Sequence, residues 1–238
     1  MNAIIKSFKI FVKELTKDGM IIMILVAPFI MGTIFKFGIP FLELKLTTYF
    51  DKEYILTDYY LLFDLLLVVL TPYFISFAAS MTMLDEYDLN LINHLSVTPL
   101  GKRGYLISRI ILPLLIAYFM ALFILYVFSI STWTLLMMLL ISFLTCLLSL
   151  TSTLIVFSYS KNKIEGLALA KLSGIIMIGM FVPFFLEKDV EYFFMFLPSL
   201  WIGKFTIDMN AMYFIFALLS VLIWIFILYK KFIKKLSK

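Results

Sequence analysis

Residues Ile110–Ser160 read IILPLLIAYFMALFILYVFSISTWTLLMMLLISFLTCLLSLTSTLIVFSYS, without one charged side chain. An α-helix needs about 20 apolar residues to cross a bilayer. The run is too long for one crossing and fits two. Ser129, Ser131, Thr132, Trp133 and Thr134 break it near its middle. That polar cluster marks a tight turn between two helices, with Trp133 as an anchor at the membrane surface. The stretch therefore reads as a helical hairpin in lipid, and the rest of the chain must be read in the same solvent.

Composition agrees. The chain has 238 residues, 63% hydrophobic and 15% charged, with a mean hydropathy of +1.07. Soluble domains run about 45–50% apolar and about 25% charged. The 18% aromatic content suits lipid-facing and interfacial positions. The expected fold class is an all-α integral membrane protein, one domain over residues 1–238, with six transmembrane helices.

Working back from the hairpin, a second span covers about Tyr59–Met83 and carries Asp64 and Pro72. A first span covers about Met20–Phe37, with Pro28 and Gly32 inside it, which membrane helices tolerate. Residues 38–58 read as an acid-rich loop. In residues 2–17, apolar Ile4, Ile5, Phe8, Phe11, Val12 and Leu15 interleave with Lys6, Lys9, Lys13 and Lys17. That pattern predicts a helix lying in the membrane surface within residues 1–18, its lysines toward anionic headgroups; the alternative is a frayed tail. No small-residue cleavage site precedes the first span, which is expected to be retained.

Working forward, residues 160–171 form a basic loop, and a fifth span covers about Leu167–Leu186. Residues 187–208 are polar, then apolar, and broken by Pro198. They read as an outer segment that dips into the outer leaflet or lies on it. The sixth span is about Met209–Tyr229, followed by a basic tail. With both termini in the cytoplasm, only Lys36, Lys45, Lys52, Lys188 and Lys204 of the 20 basic residues fall outside. Basic residues collect on the cytoplasmic side of membrane proteins, so the bias supports this orientation. It also accounts for the +5 net charge without nucleic acid.

Cys146 is the one cysteine and His94 the one histidine. No intramolecular disulfide or cysteine-based zinc site is possible. The chain has no G-x-x-x-x-G-K-[ST], no H-E-x-x-H and no G-x-S-x-G. It is read as a non-enzyme that binds no cofactor itself.

The longest polar interval between spans is Leu84–Arg109, LDEYDLNLINHLSVTPLGKRGYLISR. Asp85, Glu86 and Asp88 are expected in the first turn of a helix over 84–98, where acids complement the helix dipole. Pro99 and Gly101 end it. Leu84, Asp88, Leu91 and Leu95 would share one stripe. Such a helix suits docking into a partner's groove, or rests its leucines on the bilayer; the residues alone leave both open.

In this order the motifs resemble the membrane subunit of an ABC-2-type ABC transporter. Asp85-Glu86-Tyr87-Asp88, Val97-Thr98-Pro99-Leu100, Tyr105-Leu106 and Arg109 match that family's acidic turn, short helix and following segment. Residues Asn162 to Ala168 with Lys171 resemble a fluoroquinolone-exporter subgroup, and Pro198-Ser199-Leu200-Trp201 fits the outer segment. Asp88-Leu89-Asn90 departs from the family's usual residues before the short helix. The resemblance implies that 84–98 is a cytoplasmic coupling helix touching an ABC ATPase subunit through Asp85, Glu86, Asp88, Leu91, His94 and Leu95. It also implies ATP and Mg on that partner, and pairing with a second permease copy or a sibling. The function implied is export of an amphiphilic substrate across the cytoplasmic membrane. His94 would report pH or simply be a polar residue on the wet face.

An acid inside a span is a functional candidate. Asp64 lies roughly 7–8 Å of helix rise in from Tyr59. It would contact substrate, reach the outer headgroups or pair with Lys204. Tyr73 and Phe77 join it as candidate lining of a substrate pathway, or are lipid and core contacts. The alternative functions are a scaffold or immunity-type protein, or a secondary transporter without an ATPase. Proton coupling generally needs ionisable groups deep in the spans, and few are present.

Overall fold

The computed structural model describes residues 2–96 and 98–236. Every regular element among them is helical, and six helices are long and apolar enough to cross a membrane. In chain order the elements are α1 (Asn2–Leu15), α2 (Gly19–Phe50), α3 (Thr57–Asp88), α4 (Leu91–Ser96), α5 (Gly101–Phe128), α6 (Leu135–Tyr159), α7 (Lys163–Phe185), α8 (Pro198–Asp208) and α9 (Ala211–Leu236).

The spans α3 and α6 form the centre. In their most apolar stretches 56% and 67% of residues are buried, against 17% in α2 and in α9. The sequence of α6 explains its place. Ser142, Thr145, Ser149, Thr151, Ser152 and Thr153 are all buried along it. Small polar residues let membrane helices approach closely and bond across the seam. Ser76 Oγ of α3 donates to Ser149 Oγ at 2.9 Å, and Thr153 Oγ1 donates to the Ser76 carbonyl at 3.3 Å. Around this pair pack α5 against α3 and α9 against α6.

Prolines set the irregularities. The π-helical turns Ile34–Gly38 in α2 and Ile107–Ile111 in α5 each lie just before a proline, Pro40 and Pro113. A proline removes an N–H and crowds the carbonyl four residues back; a π turn is a common local accommodation. In α7 the winding changes further, and Gly174–Phe181 is 3-10 helix. Gly179 and Gly203 let α8 press on this segment: a Cβ on Gly179 would stand 2.8 Å from the Leu200 nitrogen, and one on Gly203 2.8 Å from the Met180 carbonyl.

The hairpin turn falls at 129–134, between α5 and α6, as the polar cluster predicts. The expected loop over 38–58 is corrected: α2 continues to Phe50, and the non-helical link starts at Asp51, whose φ of 51° is left-handed. Glu43 makes that possible. Its carboxylate accepts from the amides of Ile55 (2.8 Å) and Leu56 (2.7 Å) and from Thr57 Oγ1 (2.8 Å), holding the link against the helix. Spacing could not show that an acid outside the first span was a staple for its own turn. Within 187–208 an α-helical turn (Lys188–Glu191) and a 3-10 turn (Tyr192–Phe194) lead to α8, whose Ser199, Leu200, Ile202 and Phe205 are buried. The basic tail continues α9 to Leu236; Ser237 and Lys238 lie outside the described residues.

Candidate functional site

The acids Asp85, Glu86 and Asp88 belong to the last turn of α3, not to the first turn of a helix over 84–98. Acids at a helix C-terminus oppose the dipole, so each needs a partner. Asp85 pairs with Lys163 Nζ at 2.7 Å. Asp88 accepts from the Lys163 amide at 3.0 Å. Glu86 is 3% exposed and meets Arg109, itself 1% exposed. Arg109 Nε donates to both Glu86 oxygens at 2.9 and 3.0 Å, and Tyr105 Oη donates to Oε2 at 2.8 Å. On its other side Arg109 Nη1 donates to the Ser7 carbonyl at 3.0 Å and to Ser7 Oγ at 3.1 Å. Its guanidinium also lies over the Phe11 ring, 5.1 Å from the centroid.

This buried cluster fastens α1 to α3 and α5. The stripe Ser7, Phe11 and Leu15, at four-residue spacing, faces inward. Phe11 and Leu15 pack with Ile21, Ala78 and Ala79. Lys6, Lys9 and Lys13 stay exposed. Asp18 then caps α2, accepting from the Met20 amide at 3.0 Å and approaching Lys163 Nζ at 3.4 Å. Burial raises the Asp18 pKa, but the Ile21 amide, the Lys163 ammonium and the Met20 amide outweigh it and hold the carboxyl below its ordinary value. Glu14 goes the other way: burial, and then the nearby Glu86 charge, push it up.

After α3 the chain turns sharply. Asn90 takes a left-handed φ of 55°, which asparagine tolerates better than most residues. The six-residue α4 follows, with Ile92 buried, Leu95 half-buried and His94 exposed. Leu89 (68%) and Leu91 (37%) are exposed beside the break. Thr98 Oγ1 donates to the Leu95 carbonyl at 2.7 Å, and Gly101, at φ 62°, opens α5. Val97, part of the V-T-P-L match, lies outside the described residues. Between α1 and α4 runs a groove of about 510 Å³, lined by Ile10, Glu14, Leu91, Leu95 and Pro99, with Glu86 and Arg109 also in its wall.

The structure brings Asp85, Glu86, Asp88, Leu91, His94 and Leu95 to one end of the molecule. It corrects one of them: Glu86 is a buried internal ion-pair partner, 3% exposed, that reaches no further than the wall of the groove. It also breaks the proposed stripe, because the turn at Asn90 separates Leu84, fully buried, and Asp88 from Leu91 and Leu95. Sequence reasoning missed Ser7, Tyr105 and Lys163 as partners and Leu89 as an exposed apolar residue. An arginine heading an uncharged span was the available signal, since a charge there needs a partner.

Asp64 lies at the other end and is fully occupied. It accepts from the amides of Ile130 and Ser131, each at 2.8 Å, and from Trp133 Nε1 at 2.9 Å. It holds the α5–α6 turn and does not pair with Lys204, which pairs with Glu191. Tyr73 and Phe77 line a separate apolar cleft of about 250 Å³ with Met20, Ile24, Leu167 and Lys171, which Asp64 does not reach. Tyr73 Oη donates to the Ala170 carbonyl at 2.5 Å. No group of three His, Cys, Asp or Glu gathers to hold a metal among the described residues.

A family model described as fluoroquinolones export permease protein Rv2686c-like matches residues 11–229. No curated protein and no solved structure matches the chain.

Proposed function

From the premise that the chain belongs to the fluoroquinolone export permease family, a family of membrane exporters and not of enzymes, we propose that it is the membrane half of an ATP-driven exporter. A separate ABC ATPase would carry ATP and Mg, and two permease chains, identical or sibling, would complete the complex. The cargo class is an amphiphile entering from the cytoplasm or the inner leaflet, with Tyr73 and Phe77 on its path. On this reading the chain sits in the cytoplasmic membrane with both termini inside. Residues 1–18 lie in the membrane surface, and 187–208 is the outer re-entrant segment.

One observation carries the ATPase reading. The chain breaks after α3 to leave Leu89 exposed at the break and Leu91 and His94 exposed on a short helix, and roots that region through Glu86 and Arg109 into three elements. A load applied at α4 is thereby passed to α1, α3 and α5 together. The contact set becomes Asp85, Asp88, Leu89, Leu91, His94 and Leu95, with Glu86 behind it. The test is gentle-detergent purification of tagged protein from its native membrane, with mass spectrometry of what co-purifies. A stoichiometric P-loop ATPase is expected, and Leu91→Asp should lose it with an unchanged unfolding temperature. Absence of any ATPase, or full retention by Leu91→Asp, would overturn the reading.

A further inference from the structure

A cavity of about 380 Å³ opens between the ends of α3, α6 and α9. Four lysines line it: Lys161, Lys231, Lys234 and Lys235. They do not share one role. Lys235 is spent inside the protein, its Nζ donating to the carbonyls of Phe157 (2.7 Å) and Ser160 (2.5 Å). It thereby covers the negative end of α6, which would otherwise repel an anion. Lys231 sits over the face of Tyr159, 3.3 Å from its centroid, with both residues exposed.

Two nearby acids are held by backbone amides. Glu165 accepts from the Lys161 amide at 2.7 Å, and Asp88 from the Lys163 amide. Ser158 lines the same cavity, is 7% exposed, and its buried hydroxyl has no hydrogen-bond partner among the described residues. The cavity thus combines cationic walls, an aromatic platform and an unused hydroxyl at the level where spans end. Basic pockets between helices at that depth suit phosphate-bearing headgroups.

We propose that this cavity is a binding site for the phosphodiester headgroup of an anionic membrane lipid, with Lys161, Lys231 and Lys234 as its cationic wall. Lys235 acts as a positioning residue, because it neutralises the α6 terminus without facing the ligand alone. The site is separate from the cleft at Tyr73 and from α4.

The experiment is native mass spectrometry of the purified full chain, titrated with phosphatidylglycerol, phosphatidylcholine or inorganic phosphate. Phosphatidylglycerol should bind more tightly than phosphatidylcholine. The K161Q/K231Q/K234Q variant should bind it roughly tenfold or more weakly. Arginine at the same positions should retain binding. So should K6Q/K9Q/K13Q, which removes equal charge from α1. Should the glutamine triple not fold, K231Q alone serves and should lose a few-fold in affinity. Equal binding of the two lipids, or unchanged binding in the glutamine variants, would overturn the site. Inorganic phosphate binding as tightly as phosphatidylglycerol would overturn the lipid assignment in favour of a soluble phosphate.

Discussion

At the scale of single residues, two acids near opposite ends of α3 do different work with the same chemistry. Glu86 is half of a buried ion pair, and removing one member of such a pair costs about 3–5 kcal/mol because the other charge is stranded. Arg109→Gln is therefore expected to lower the stability of the purified protein by about that much in a denaturant titration. Glu86→Met/Arg109→Met should fall closer to wild type, since no charge is left unpaired. Asp64 holds three donors of one turn. Asp64→Ala is expected to cost about 1–3 kcal/mol for the orphaned groups while leaving ATPase co-purification intact. Loss of transport by Asp64→Asn at unchanged stability would instead return it to the substrate path. The sequence marked Asp64 as an acid inside a span and Glu86 as one of three acids in a turn, but identified the true partner of neither. Ser7 lies 102 positions from Arg109, and nothing in local spacing connects them.

At the scale of elements, the hairpin, the spans and the helical character of residues 2–15 were legible because apolar length and period are local properties. The breaks were less so. The short helix begins at Leu91 and not at Leu84 because Asn90 turns left-handed and α3 takes the acids into its own last turn. Acid-at-the-N-terminus reasoning failed there because Lys163 and Arg109, far along the chain, supply the missing counter-charge. The junction of α1 and α2 provides a pH test. The Asp18 carboxyl is held below its ordinary value in the folded state. Its charge thus stabilises the fold above the unfolded pKa of about 4, and that contribution disappears as pH falls through the folded value. Asn caps a helix about as well as Asp. Wild type should therefore be more stable than Asp18→Asn at neutral pH, and the difference should shrink toward zero on acidification below about pH 4. Asp18→Ala should be about 1 kcal/mol less stable than Asp18→Asn at both. Thermal unfolding across pH measures all three.

At the scale of the whole molecule, the orientation proposed above rests on where basic residues collect, and it can be tested directly. Cys146 is buried at 3% exposed, so replacing it by serine gives a quiet background. A cysteine at exposed Thr132 should react with a membrane-impermeant maleimide on intact cells. One at exposed Lys102 should react only after permeabilisation. The reverse pattern would invert the topology. The 3-10 stretch of α7 has a consequence of another kind. Eight residues advance about 16 Å at 2.0 Å each, against about 12 Å in an α-helix. They also turn about 120° per residue, not about 100°, so phase accumulates to roughly 160° over the segment. The last turn of α7, Val182–Phe185, therefore presents nearly the opposite side from the one an unbroken α-helix would show. A helical wheel drawn through all of α7 assigns that turn to the wrong neighbours. Rewinding those eight residues would both shorten the span and swing Pro183 away from α8.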